Sequence, residues 1–231
     1  MMDTDKNILL LFAAMDMTNS LQLIAGFFPI FLFSLCFHEF AHGLVAKWRG
    51  DNTAEMMGRL TMNPFAHADL LGTVIFPIMG VFTGFFFGWA KPVPINERNL
   101  KNPKTDLFWI ASAGPLSNFL LSFLMAMLLG ITGRFFYGMP MERTIYRLGG
   151  LFIQTNLFLG TFNALPIHPL DGGKILARFI PDQWDRWLLD NQFLLFICLM
   201  VLLNSPLRHF LNFPVEVMYS MLTGLIGRLN G

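Results

Sequence analysis

Residues 21–48 read LQLIAGFFPIFLFSLCFHEFAHGLVAKW, and the reading of this stretch decides the fold. Up to Phe37 its polar side chains are Gln22, Ser34 and the thiol of Cys36. A helix that crosses a bilayer needs about 20 mostly apolar residues, so the run is read as a membrane span. Yet it carries His38, Glu39 and His42. Ionisable groups at membrane depth cost about 2.5 to 3.5 kcal/mol each even on the mild insertion scale. Three of them within five residues call for a chemical reason.

The rest of the chain has the same background. Of its 231 residues, 54% are hydrophobic and only 13% charged, about half the roughly 25% charge of an average soluble domain. Mean hydropathy is +0.53. Net charge is +1 with no basic block, which excludes a nucleic-acid binder. The two cysteines, Cys36 and Cys198, lie far apart and make no disulfide scaffold. Further apolar runs cover Leu70–Ala90, Phe108–Ile131, Leu148–Leu170, Phe193–Leu203 and Leu207–Ile226, the last containing Pro214. The expectation is an all-α polytopic membrane protein of five to six transmembrane helices, with the lipid bilayer as its partner. Residues 1–231 form a single integral membrane domain, with no separate soluble domain. Ile8–Ala14, preceded by Lys6, is read as an interfacial lead-in because no small-x-small cleavage site closes it. Against six spans, Lys and Arg divide nine to seven, which leaves the topology open. Nothing in the sequence sets the oligomeric state.

His38-Glu39-Phe40-Ala41-His42 is H-E-x-x-H. On a helix, residues four apart lie about 40° apart in azimuth and about 6 Å apart in rise, so both imidazoles can reach one metal ion. Glu39 falls on the neighbouring face, beside a metal-bound water. Zinc lowers the pKa of such a water to about 7, and a carboxylate there can take its proton. Catalytic zinc normally takes three protein ligands, so a third is missing. His67, Asp69, His168 and Asp171 are the candidates near apolar segments, and the stretch Asn163-Ala-Leu-Pro-Ile-His-Pro-Leu-Asp-Gly-Gly gives Asp171 the best context. Pro166 and Pro169 break the helix, and Gly172 and Gly173 permit turns closed to other residues. Irregular backbone at membrane depth is tolerated where it is buried or lines a wet cavity.

These motifs resemble the site-2 proteases, the intramembrane zinc metalloproteases. His38-Glu39-x-x-His42 is followed in the family's order by Gly58-Arg59-Leu60-Thr61, Asn63-Pro64-x-x-His67-x-Asp69 and Gly88-Trp89-Ala90-Lys91-Pro92-Val93-Pro94. Ala113-Gly114-Pro115-x-Ser117-Asn118, Asn163 and Pro169-Leu170-Asp171-Gly172 complete the series. The resemblance covers roughly Leu32 to Phe179. It implies one zinc ion on His38, His42 and Asp171, Glu39 as general base, and Asn163 as a partner of the substrate or the oxyanion. It implies a short extended or re-entrant segment near the active site, over Trp89–Asn96, whose edge could pair with an unwound substrate. His67, His168 and Asn118 are expected near the site. His168 stands where the family pattern usually has proline, as a spare ligand, a substrate contact or a neutral substitution. The implied activity is hydrolysis of peptide bonds in or near transmembrane segments of membrane-protein substrates, in the cell (inner) membrane of a prokaryote. A non-proteolytic membrane metal-binding protein or transporter is the alternative, and a membrane oxidase using iron is a further rival.

Other features have plainer readings. Trp184 and Trp187 read as an interfacial belt, and Phe85-Phe86-Phe87 as lipid or helix packing. Gly80, Gly84 and Gly88 are either a small-residue helix stripe or the mark of a bent segment.

Overall fold

The structure is a computed structural model that describes residues 17–83, 88–203, 205 and 208–230. The lead-in Ile8–Ala14 with Lys6, Gly84, Phe85–Phe87 and Leu207 lie outside the described residues.

The described residues are all-α, with no strand among them. The first apolar run forms α1 (Met17–Trp48). Two short helices, α2 (Thr53–Met56) and α3 (Pro64–His67), lead to a π-helical turn, Leu70–Ile75, that continues as α4 (Phe76–Thr83). Residues 89–96 have no regular secondary structure. They run into a 3-10 turn, Glu97–Asn99. The long α5 (Pro103–Phe136) and α6 (Glu142–Asn163) follow. The chain ends with α7 (Asp171–Ala177), α8 (Asp182–Asp190), α9 (Gln192–Leu203) and α10 (Arg208–Asn230).

Helix α5 is the hub, packing against α1, α6, α7 and α10. Where it meets α6 and α10, Ala126, Leu129, Ile153, Leu157 and Ile226 form a buried apolar cluster. A second cluster, Ala46, Leu100 and Ile110 with Ile95 and Leu107 against it, joins the end of α1 to the start of α5. On α5 the residues Leu116, Leu120, Phe123, Leu124, Leu128 and Ile131 recur at helical spacing and are 46–60% exposed. An exposed apolar face of that size marks a membrane or protein contact surface.

The count of spans is corrected. Two described helices are long and apolar enough to cross a membrane, Gly26–Trp48 within α1 and Pro103–Phe136, and a third is reached if the bent pair α8–α9 is one span. Five to six was expected. Among the described residues the run Leu70–Ala90 gives a π turn and α4 through Thr83, and residues 88–90 are irregular. Helices α6 and α10 have 22 and 23 residues but are too polar. The former carries Glu142, Arg143, Arg147, Gln154 and Asn156, and the latter Arg208, Glu216 and Arg228. Helices α8 and α9 meet at 68°.

The Gly80 and Gly88 pair is also resolved. Gly88 lies beyond α4, where a Cβ would stand 2.6 Å from the carbonyl oxygen of Gly72. The next residue, Trp89, donates its N–H to that oxygen at 3.0 Å. Gly88 therefore serves a close backbone approach in a folded-back segment, not a helix stripe.

Residues 89–96 are tied down at both ends. Lys91 N–H donates to the carbonyl of His67 at 2.8 Å, and Arg59 Nη2 donates to the carbonyl of Lys91 at 2.9 Å. At the other end Asp51, 1% exposed, accepts from the N–H of Asn96 at 2.7 Å, Asn99 Nδ2 at 2.8 Å and the N–H of Thr53 at 3.0 Å. Burial alone would raise the Asp51 pKa, but the hydrogen bonds from Thr53, Asn99 and Asn96 outweigh it and hold the carboxyl below the ordinary carboxylate range. A group depressed in this way contributes stability above its unfolded pKa, about 3.9, and loses it as pH falls through the folded value. Asp51→Ala is expected to destabilise the protein by about 1–3 kcal/mol at neutral pH, because buried donors lose their acceptor. In thermal unfolding in detergent, the gap between the wild type and this variant should close as the pH is lowered below about 4.

Candidate metal centre

The two histidines of α1 do sit one above the other on the face that meets α5. Their rings are 4.6 Å apart at 84°, with His38 and His42 both buried. Each ring is held by its Nδ1. His42 Nδ1 donates to the carbonyl of Ile110 at 2.6 Å, and His38 Nδ1 donates to Asn118 Oδ1 at 2.6 Å. The orientation of Asn118 follows from its other end, where Nδ2 donates to Asn156 Oδ1 at 2.9 Å and to the carbonyl of Ser34 at 3.3 Å. Asn156 Nδ2 in turn donates to Ser34 Oγ at 2.8 Å, and Ser34 Oγ donates to the carbonyl of Ile30 at 2.8 Å. With Nδ1 protonated, a neutral imidazole presents Nε2 as a lone-pair acceptor.

The two Nε2 atoms face each other at 3.0 Å. Asp171, the first residue of α7, brings Oδ2 to 3.0 Å from His38 Nε2 and 3.2 Å from His42 Nε2. Helix α6 ends at Asn163, ahead of Pro166 and Pro169, and the turn over 164–170 carries Asp171 back to α1. At Gly172 a Cβ would collide with the carbonyl oxygens of Ala164 and Leu165, so the turn closes this tightly only on glycine. Three acceptors at one point repel one another unless a cation lies between them. With zinc–ligand bonds of about 2.0–2.1 Å, tetrahedral ligands stand about 3.3 Å apart. His38, His42 and Asp171 therefore form a donor set that could hold one such ion. The space for it is kept by Gly114 of α5, where a Cβ would lie 2.5 Å from His38 Nε2 and closer still to His42 Nε2.

Glu39 lies on the adjoining face, as its register requires, and lines the same cavity of about 150 Å³. Its Oε2 accepts the N–H of Val93 at 2.8 Å. In Pro92-Val93-Pro94 the flanking prolines have no N–H, so this is the single amide donor of the tripeptide. Pro92, Val93 and Ile95 form one wall of the cavity, and Asn163 and Lys174 also line it. Asn163 Nδ2 donates to the carbonyl of Leu159 at 3.0 Å.

The structure thus brings His38, Glu39, His42, Asn163 and Asp171 together around one cavity, and places Asn118 directly behind His38. His67 and His168 do not line it. His67 is buried, with Nε2 2.9 Å from the carbonyl of Thr61, and Asp69 accepts the N–H of Gly72 at 2.7 Å in the following turn. Sequence reasoning gave no role to Ser34, Ile110, Gly114 or Asn156. Two of these carried a readable signal. Ser34 lies one turn before His38 on the same face, and Asn156 is an amide in the apolar run Leu151–Phe162.

The model of peptidase family M50 matches residues 26–145, which include the two histidines and both partners of their Nδ1 atoms. The chain belongs to peptidase family M50. This is the family of the site-2 proteases, and the protein is a metalloprotease of it. Two similar proteins bear the name "Putative zinc metalloprotease". YwhC of Bacillus subtilis is 36% identical over 186 residues, covering 79% of this chain and 81% of that protein. Rip2 of Mycolicibacterium smegmatis is 30% identical over 189 residues, covering 80% and 67%. "Zinc metalloprotease MJ0392" of Methanocaldococcus jannaschii is 28% identical over 172 residues, covering 73% of this chain and 38% of its own length. No solved structure gives a significant match.

Among M50 features of this chain, Gly114 offers the sharpest test of the donor set. Gly114→Ala places a methyl group where the cation would sit, within a helix that tolerates alanine well. The variant is expected to keep the wild-type helix content by circular dichroism and to lose metal, read by elemental analysis of the purified protein.

Proposed function

We propose that the protein is an intramembrane zinc metalloprotease that hydrolyses peptide bonds in or near transmembrane segments of membrane-protein substrates. The observation that carries this reading is the convergence of His38 Nε2, His42 Nε2 and Asp171 Oδ2 beside Glu39, with His38, Glu39 and His42 on a helix long and apolar enough to cross a bilayer. One zinc ion on these three side chains supplies the Lewis acid that makes water nucleophilic near neutral pH.

The chain's own residues do the rest. Ile110 and Asn118 keep His38 and His42 as neutral Nε2 ligands. Glu39 takes the proton of the attacking water and delivers it to the leaving amine nitrogen, as a general base and then a general acid. The Val93 N–H holds one oxygen of that carboxylate in place. Asn163, which lines the cavity, contacts the substrate carbonyl or the oxyanion. A helical substrate hides its peptide bonds, so it must unwind before attack. The irregular segment 89–96, one wall of the cavity, is where the unwound stretch lies. The protein is multi-pass in the cell (inner) membrane of a prokaryote, a reading supported by the bacterial and archaeal sources of its relatives.

Two histidines and a carboxylate also suit iron in oxygenases. A carboxylate base in the same cavity, together with membership of a peptidase family, favours hydrolysis. Purified protein is expected to contain zinc at one equivalent and to cut a transmembrane model substrate in proteoliposomes, with loss of cutting under a chelator. Glu39→Gln should retain the zinc and lose cleavage by about 10²–10⁴-fold or more. His42→Ala should lose both. Chelator-sensitive cleavage by Glu39→Gln would remove Glu39 as the base, and iron in place of zinc would overturn the reading.

A further inference from the structure

The turn that carries Asp171 is held by a contact outside the donor set. His168, 4% exposed, lies three residues before Asp171, and its Nε2 is 3.1 Å from Asp185 Oδ1 on α8. The ring fits there because Gly173 has no side chain: a Cβ at that position would stand 2.8 Å from His168 Cγ. One turn earlier on α8, Asp182 accepts from Lys104 Nζ at 2.7 Å, and Lys104 also donates to the carbonyl of Ile180 at 3.2 Å. Lys104 stands at the start of α5, the helix that holds Ile110, Gly114 and Asn118. Helix α8 therefore touches the start of α5 through Asp182 and the ligand turn through Asp185.

The two ties differ in strength. The Lys104 and Asp182 side chains are 45% and 78% exposed, and ion pairs in that setting contribute little. The His168 and Asp185 side chains are 5% and 25% exposed, so their contact is shielded from water. Helix α7 has only 7 residues, too few to be stable alone, and its place is set by what holds it.

We propose that His168 and Asp185 are positioning residues for the metal ligand Asp171, with α8 supplying the anchor for the ligand turn. This rests on the metal reading above. The His168 Nε2–H donates to the Asp185 carboxylate and fixes the turn at the distance from α1 that lets Asp171 Oδ2 meet both imidazoles. His168 is then neither a spare ligand nor a neutral substitution.

The test uses the full-length protein in detergent loaded with Co²⁺, whose visible spectrum reports ligand geometry. Asp185→Ala is expected to speed extraction of cobalt by a chelator by about 10–100-fold, the usual effect of losing a partner behind a metal ligand, and to change the spectrum. His168→Phe fills the same space without a donor and should do likewise, whereas Asp185→Glu should restore slow release. Lys104→Ala should leave the release rate near wild type. Wild-type release rates and spectra in both Asp185→Ala and His168→Phe overturn the proposal, whether or not the melting temperature falls. A wild-type protein that takes up no cobalt overturns the metal reading instead.

Discussion

Two imidazole nitrogens, each a lone-pair acceptor, are held 3.0 Å apart in a buried site with a carboxylate oxygen against both. That arrangement is repulsive without a cation, and the surrounding fold serves to maintain it. Helix α1 supplies both imidazoles from adjacent turns. Helix α5 turns them with an acceptor at each end, Ile110 and Asn118, and withdraws its own side chain at Gly114. Helix α6 backs Asn118 through Asn156, then ends where the turn to Asp171 begins. Removing any one of these would free a ring to rotate or block the point where the lone pairs meet.

The polar groups behind the site are kept inside a largely apolar protein at low energetic cost because each is paired. Ser34, Asn118 and Asn156 are fully buried, and each has hydrogen-bond partners across α1, α5 and α6. A buried amide network of this kind is strong in a low-dielectric interior when satisfied and costly when broken. It therefore gives the three helices one preferred register, which packing of Leu and Ile alone would leave less sharply defined. The outer face of α5 is covered with leucine, isoleucine and phenylalanine, on a helix long and apolar enough to cross a membrane.

The site was more legible in the sequence than the architecture around it. H-E-x-x-H has a helical spacing that fixes the relative placement of His38, Glu39 and His42 before any tertiary structure is known. Asp171 was readable because prolines and glycines flank it in an apolar run, which marks a broken helix. The spans were harder, because hydropathy counts apolar residues without seeing where a helix ends. Leu70–Ala90 looks continuous, yet it contains a π turn and a folded-back stretch set by the contact of Trp89 with Gly72. The supporting residues were least legible. Gly114 and Asn156 act through contacts 72 and 122 positions away from His42 and Ser34, and no local pattern encodes such distances.

The missing side chain at Gly114 also has a directional consequence. The bare backbone of α5 closes the floor beneath the point where His38, His42 and Asp171 converge. The cavity beside that point is lined by Glu39, Pro92, Val93 and Ile95. The α5 backbone occupies one side of the centre, and the cavity gives a further ligand its space. Under the proposed reading, a peptide held against Pro92, Val93 and Ile95 would meet the centre through that cavity.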